Sequence, residues 1–264
     1  MVELFKTHSD PVLGDKIYPA PSHWSLMSGG LLISALRKSA APMSIYVHIP
    51  FVSASYIEYL IAEMDLMDVA HHRSVVQIHW GGPAASHLNA KHVDDLMNAI
   101  LARFSVAAGC DVGIDVGMEF AQRTGTDLIG FGVSAISHVG NTLTQNYQQL
   151  AAYEDAIGSG RLPVSRGYVR SKDDAISGAI LEGCFCKGTI SKDDIERRFH
   201  IDFDDYFRNE LARLELLEHD GLIEGCGSRT IRIMSAGRIF IRSTVTIFDA
   251  FESAAMTAKA SRAM

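Results

Sequence analysis

The sequence predicts an α/β protein in which a parallel sheet is followed by a mainly helical, winged-helix-like C-terminal domain. Three observations predict it. Two strand–helix–strand alternations within the first 120 residues require crossover connections, and crossovers of that kind give parallel strands. Helical spacing of apolar residues dominates from Ser171 onward. Two short alternating segments around a glycine-rich turn then close this part of the chain as a small hairpin.

The elements follow in order. The first 40 residues are rich in turn formers (Pro11, Gly14, Pro19, Pro21, Ser28, Gly29, Gly30) and read as an arm of low regular structure, 1–40, with one short helix around Leu31–Arg37. Ser44-Ile45-Tyr46-Val47-His48-Ile49 is a strand stopped by Pro50. Ile57, Leu60, Ile61 and Met64 recur at helical spacing. Val75 to Trp80 is a second strand that runs straight into Gly81-Gly82-Pro83. Val93, Leu96, Met97, Ile100, Leu101 and Phe104 stripe the clearest helix, and Val112–Val116 is a third, short strand. Together these make an α/β region over 41–120. Gly117, Thr124, Gly125 and Thr126 mark a join, and the domain boundary is placed there. A C-terminal helical domain is expected over 127–252 and a tail over 253–264. In that domain Ser191 and Asp194 have capping-box spacing, with Asp in the place of Glu. Phe207, Leu211, Leu214 and Leu217 stripe a helix that Gly221 terminates. Leu222-Ile223-Glu224 and Ile231-Arg232-Ile233 form the hairpin.

Composition bounds the function. The 264 residues are 47% hydrophobic and 21% charged, enough for one large domain or two small ones. A net charge of −7 argues against non-specific binding to nucleic acid or to an anionic membrane. No stretch has the apolar length of a membrane-spanning helix, and Met1-Val2-Glu3-Leu4 opens neither a basic segment nor an apolar run of the signal-peptide kind. Four scattered cysteines, Cys110, Cys184, Cys186 and Cys226, do not make a disulfide framework. A cytoplasmic, reduced protein is expected, without nucleic-acid or membrane partners.

Ile17-Tyr18-Pro19, Ser44 to Phe51, Gln77-Ile78-His79-Trp80-Gly81-Gly82 and Asp127 to Ser137 occur in the order and wording of one family. So do Gln145-Asn146, Arg166-Gly167, Asp220-Gly221-Leu222 and Ala236-Gly237-Arg238. On these residues the chain resembles the oxygen-independent coproporphyrinogen III oxidases (dehydrogenases), radical-SAM enzymes of haem biosynthesis, over nearly its whole length. The resemblance implies the remnant of a partial radical-SAM (β/α) barrel ahead of the helical domain. It also implies a family reaction, conversion of coproporphyrinogen III to protoporphyrinogen IX by oxidative decarboxylation of two propionates.

The departures from the family bear on that reaction. In the family the phenylalanine of the first strand is followed at once by CxxxCxxC, whose thiolates hold three irons of a 4Fe–4S cluster and leave the fourth for S-adenosylmethionine. Here Phe51 is followed by Val52-Ser53-Ala54-Ser55-Tyr56-Ile57-Glu58-Tyr59. Read without gaps, the cysteine positions fall on Val52, Tyr56 and Tyr59; read with a gap, the cluster loop is missing and Tyr56–Met67 is the helix after it. The family's third glycine and Thr-Pro-Thr are replaced by Pro83-Ala84-Ala85-Ser86, and Pro83 removes a backbone donor. Gly113 stands where the family's third strand carries a cofactor-contacting glutamate. Beyond Val116 the middle strands of the barrel are lost, which predicts unpaired edges and apolar faces. No cofactor is therefore expected, and no catalytic or metal-binding residue is assigned.

Remaining candidates have two readings each. Tyr46, Gly81 and Gly82 are remnants of the family's S-adenosylmethionine site, or an ordinary strand residue and a tight turn. His48 is a site residue or a hydrogen-bonded core histidine. His71, His72, His79, His87 and His92 invite a metal reading that their spacing does not enforce. Cys184 and Cys186 are a redox pair or buried structural thiols. Arg229, Arg232, Arg238 and Arg242 form a basic strip for phosphate or a solvated surface. The expectation is a degenerate family relative without radical chemistry. Its alternatives are a porphyrin-binding protein, a protein that docks onto a full-length paralogue, and a winged-helix-type regulatory module.

Overall fold

The computed structural model describes residues 18–114 and 125–240, together with Thr244, Ile247 and Phe248. They form two compact units, the first of Pro21–Val169 and the second beginning at Arg170, with residues 18–20 belonging to it.

The first unit is an eight-stranded mixed sheet. Its elements are β1 (Ser25–Leu26), α1 (Gly29–Lys38), β2 (Met43–His48), α2 (Ala54–Asp65), β3 (Ser74–Gly81), α3 (Ala90–Arg103), β4 (Ser105–Ile114), β5 (Asp127–Phe131), β6 (Ile136–Val139), β7 (Thr142–Asn146), α4 (Leu150–Gly158) and β8 (Val164–Val169). The strand order is β1-β8-β7-β6-β5-β2-β3-β4. β5, β2, β3 and β4 run parallel, and the β5–β8 stretch continues antiparallel to β1. The two crossovers read from the sequence are therefore present.

The boundary expected at 117–126 is corrected. β5 pairs with β2 from Met43↔Asp127 to Val47↔Phe131, so residues 127–169 complete the first sheet, and the units part between Val169 and Arg170. The short helix of the N-terminal arm also belongs to this unit, as α1. Expectations for residues 1–17, for 115–124 and for the tail 253–264 lie outside the described residues.

Alternation along β2 explains the layering. Met43, Ile45, Val47 and then Ile49 are fully buried and join one apolar cluster with residues of α1, α2 and α3. Burying each such side chain is worth about 1.5–3 kcal/mol, so this strand anchors the helical layer. Ser44, Tyr46 and His48 point to the opposite face.

A buried polar knot locks α2 to the sheet. Glu63 is inaccessible within the helical layer, and its carboxylate accepts three hydrogen bonds: from Gly132 N (2.8 Å), Asn146 Nδ2 (2.7 Å) and the Tyr153 hydroxyl (2.7 Å). Asn146 Nδ2 also donates to Gly132 O at 2.9 Å. One side chain thus ties α2 to the β5–β6 turn, to β7 and to α4. A second knot lies at the other end of the sheet. There Arg73 donates to Asp127 Oδ2 (2.6 Å) and to Ala41 O, and Asp127 Oδ1 accepts from Gly140 N (2.9 Å).

The second unit comprises α5 (Lys172–Glu182), a π-helical turn over Gly183–Lys187, β9 (Thr189–Ser191), α6 (Lys192–Phe199), α7 (Phe203–Tyr206), α8 (Arg208–His219), β10 (Ile223–Glu224) and β11 (Thr230–Ile233). Its antiparallel sheet has the order β10-β11-β9. Helices with this small sheet match the winged-helix-like expectation, with β9, which precedes α6, added as a third strand to the expected hairpin. Gly221, at φ +68°, stops α8 as its position predicts. The complete capping box is at Ser171 and Asp174, not at Ser191 and Asp194: Ser191 Oγ accepts from Asp194 N, but Ser191 is also the last residue of β9.

Burial raises the Glu63 carboxyl to about 7, against the lowering effect of the donors from Tyr153, Gly132 and Asn146. Its folded value thus exceeds its unfolded one, and the folded chain retains a proton that the unfolded chain releases between about pH 4.5 and 7. The Glu63 contribution to stability is fullest below that window, falls through it, and is flat above about pH 7. Urea denaturation across this range should show a loss on the order of 3 kcal/mol in the wild type relative to Glu63→Gln. Parallel curves for the two proteins would contradict it.

Candidate functional site

The face of the sheet turned away from the helices carries the sequence-derived candidates. Register places Gln77, His79 and Gly81 of β3 beside Ser44, Tyr46 and His48 of β2. Gly113 of β4 lies beside His79, while Leu128 and Gly130 of β5 lie beside Ser44 and Tyr46. Through β6, β7 and β8 the same face continues with His138, Gln145, Arg166 and Tyr168. It carries polar and aromatic groups with Leu128, Ile136 and Leu143 among them, whereas along β2 and β3 the opposite face is apolar, with Met43, Ile45, Val47, Ile78 and Trp80.

Tyr46 is its centre. Its ring lies nearly parallel to His79 (centroids 6.3 Å, 11°) and stacks with His48 (6.1 Å, 26°). Its hydroxyl is 3.4 Å from His48 Nδ1, and its ring packs on Leu128. Burial lowers the pKa of His48, favouring the neutral imidazole. Ser44 Oγ donates to Gln77 Oε1 at 2.9 Å. Further along, Arg166 Nε donates to Gln145 Oε1 at 2.7 Å, and Gln145 Nε2 donates to Ser134 O at 3.1 Å.

The glycines make room for these rings. A Cβ on Gly81 would collide with the Tyr46 hydroxyl end, and one on Gly113 would come within 3.1 Å of His79 Nδ1. Gly113 thus leaves the space in which this chain's own imidazole sits. Gly82 has φ +104°, and a Cβ there would stand 2.7 Å from Ile49 O. The surrounding bonds form a tight turn: Ile49 N to Gly81 O (2.7 Å), Ala84 N to Ile49 O (3.0 Å) and Ala85 N to Gly82 O (3.1 Å). Pro83 occupies the second position of that last turn, where its fixed φ is favourable and its missing N–H is not called on.

The structure separates the other candidates. His71 Nε2 is 3.1 Å from Met64 O, and its ring meets Phe104 edge-on. Among the described residues no three His, Cys, Asp or Glu side chains are placed to hold a metal ion. Cys184 and Cys226 are buried in the core of the second unit, Cys110 lies on β4, and the Cys186 side chain is outside the described set. Burial raises the thiols of Cys184 and Cys226 to about 12, making them inert at neutral pH. Arg229 pairs with Asp193 and Glu196, and Arg232 with Glu224 at 3.5 Å, while Arg242 lies outside the described residues.

The residues present do not fit an iron–sulfur cluster. The connection from β2 to α2 is residues 49–53, without a thiolate, and the one hydroxyl in it, on Ser53, caps α2 by accepting from Tyr56 N at 3.1 Å. The Gly81–Ala85 turn likewise spends its inward backbone groups on Ile49 and on itself. The sequence reading leaves out Glu63 and Tyr153 and the roles of Asn146 and Tyr56; the one available signal is an acid on the apolar stripe of α2.

The fold is an α/β architecture of the kind seen in radical-SAM proteins, with a sheet that does not close into a barrel among the described residues. The solved coproporphyrinogen III oxidase from Escherichia coli, a radical SAM enzyme, superposes with a TM-score of 0.78 over 89% of this chain and 97% of that one, at 17% identity. Sequence comparison is more specific. The chain is 32% identical over 136 residues to oxygen-independent coproporphyrinogen III oxidase from Synechocystis, 36% over 125 residues to that of Pseudomonas aeruginosa, and 35% over 126 residues to that of Thermostichus vulcanus. These matches cover 50%, 47% and 47% of this chain but only 29%, 27% and 38% of the relatives. No family model matches. The chain is a relative of the oxygen-independent coproporphyrinogen III oxidases. Among the described residues no helix is long and apolar enough to cross a membrane.

The packing of Tyr46 on Gly81 gives a direct check. Gly81→Ala should cost about 1–3 kcal/mol in denaturant melts, and most of that penalty should vanish in a Tyr46→Ala background. Gly82→Ala should remain costly in both, because its conflict is with the backbone of Ile49 and with its own φ. Equal penalties for Gly81→Ala with and without Tyr46 would show that the ring is not what requires the glycine.

Proposed function

We propose that this chain is a degenerate, cytoplasmic relative of the oxygen-independent coproporphyrinogen III oxidases with no radical-SAM activity of its own. One observation carries the reading: β2 passes into α2 through a five-residue connection, 49–53, that holds no thiolate and whose serine is committed to capping the helix. Soft sulfur ligands are what hold an iron–sulfur cluster. The retained strands and the Gly81-Gly82 turn then serve packing.

A second reading rests on the face of the sheet opposite the helical layer. The half-buried rings of His48, His79 and Tyr168 lie on it around the buried Tyr46. Arg166, whose Nε is held by Gln145 and Nη1 by Pro21 O, adds a half-buried guanidinium of a kind suited to carboxylates. That combination supports binding of a porphyrin without chemistry. Docking onto a full-length paralogue is the protein-partner form of the same proposal. Nucleic acid is not proposed as a partner, a choice supported by the net charge of −7 and by the pairing of Arg229 and Arg232 with acids.

Anaerobic reconstitution with iron and sulfide, followed by incubation with S-adenosylmethionine and reductant, tests the first reading. The expected result is no stoichiometric cluster and no reductive cleavage of S-adenosylmethionine; cleavage above the protein-free control would overturn it. Titration with coproporphyrin tests the second. A saturable shift of the porphyrin absorbance, weakened at least about tenfold by Arg166→Ala, is expected; an unsaturable response would remove porphyrin from consideration.

A further inference from the structure

The place where the family's cluster loop begins is not an emptied site in this chain. We infer that the β2–α2 junction is a closed joint fastened by Tyr56, which stands in for the organising role of the cluster, so that restoring cysteines would not restore the metal site. The inference rests on the reading that the chain has no radical-SAM activity and specifies the reason.

Four observations support it. First, α2 begins at Ala54, immediately after its cap Ser53. Of the three ungapped ligand positions, Tyr56 and Tyr59 are therefore fixed on one helix, and only Val52 remains in the connection. Second, the Tyr56 side chain is fully buried in the apolar cluster of the helical layer, not on the opposite face of the sheet with Tyr46 and His79. Third, its hydroxyl makes two hydrogen bonds. It donates to His48 O (3.0 Å), at the end of β2, and accepts from Val133 N (3.0 Å), in the turn after β5. Burial raises the phenol far above its ordinary value, so it remains a neutral donor. Fourth, the surroundings are shaped to it. The Phe51 ring packs on Tyr56 (centroids 4.8 Å, 45°), and a Cβ at Gly132 would stand 2.6 Å from the Tyr56 hydroxyl.

A cysteine at position 56 would consequently point its thiol into the helical layer. It would also leave His48 O and Val133 N–H without the partner they now share. The joint holds the ends of two adjacent parallel strands, β2 and β5, in register with no metal.

The test uses the full chain and three proteins. In the wild type, melting temperature should be the same with chelator and after anaerobic incubation with iron and sulfide. Tyr56→Phe, which keeps the ring and removes the hydroxyl, should melt roughly 3–8 °C lower, and the Val133 amide should exchange at least about tenfold faster. The Val52→Cys/Tyr56→Cys/Tyr59→Cys variant should take up less than about one iron per chain, against about four for a complete cluster. Wild-type melting and Val133 exchange in Tyr56→Phe would overturn the fastening role, whether or not the triple variant folds. A triple variant that binds about four irons and melts like the wild type would overturn the closed joint while leaving the wild type inactive. A stoichiometric cluster in the wild type would sink the proposed function and this inference together.

Discussion

The Glu63 carboxylate is the constraint on which the first unit depends. A buried carboxylate is costly unless its oxygens are met by donors, and here the three donors come from three separate parts of the chain, Gly132, Asn146 and Tyr153. Each donor is itself buried, so none can exchange its partner for water without opening the layer. Removing the acid would strand two N–H groups and a hydroxyl; removing any donor would strand the acid. Mutual dependence of this kind gives one arrangement of α2 against the β5–β6 turn rather than a family of sliding ones. Tyr56, seven residues earlier on the same helix face, extends the knot to His48 O and Val133 N. Together they bring β5 beside β2, the step that turns two separate stretches of sequence into one sheet.

That step also explains where the sequence was legible and where it was not. Alternation in Ser44–Ile49 is a local signal, and β2 and its apolar layer follow from it directly. The helix stripes are equally local, although the buried face of α3 is Leu96, Ala99 and Ile100, and Leu101 is half exposed. β5 is different. Asp127-Leu128-Ile129-Gly130-Phe131 is buried on both faces and does not alternate, the pattern of a central parallel strand. Its partner β2 is more than eighty residues away, so no local pattern announces the pairing, and the turn-rich stretch before it resembles a domain join. Glu63 was hidden for a related reason. An acid three residues after Leu60 and one before Met64 is visible as a misfit on an apolar stripe, but its donors are set only by tertiary structure.

The site shows the same division. That Gly81, Gly82 and Gly113 are glycines is read at once, while the reason each must be small depends on Tyr46, Ile49 and His79 across strands. In a ligand-binding loop small residues leave room for a guest. Here the rings of Tyr46 and His79 take that room, and the turn's backbone groups bond to β2. The glycines that carry the motif resemblance are thus required by packing, and resemblance in wording locates a family without assigning chemistry to its residues.

The far end of the sheet shows how a shortened barrel limits its exposed edge. β4 is the last strand in the described order, and an edge of ten residues, Ser105–Ile114, would be a ready template for another strand. Charge does little to protect it, since Asp111 is its one ionisable carboxylate and it carries neither Lys nor Pro. Geometry does more. Val106 pairs with Val75 and Asp111 with Gln77, so Val76 alone on β3 faces the four residues 107–110 on β4, with Gly109 at φ +89°. Such a bulge interrupts the ladder and twists the edge, leaving two short paired stretches where a flat strand would have offered ten consecutive positions. Val112 and Ile114 remain about half exposed (51% and 49%) on the second stretch. Among the described residues, the large apolar side chains exposed on this edge are therefore confined to a segment of β4 too short and too bent to propagate a sheet.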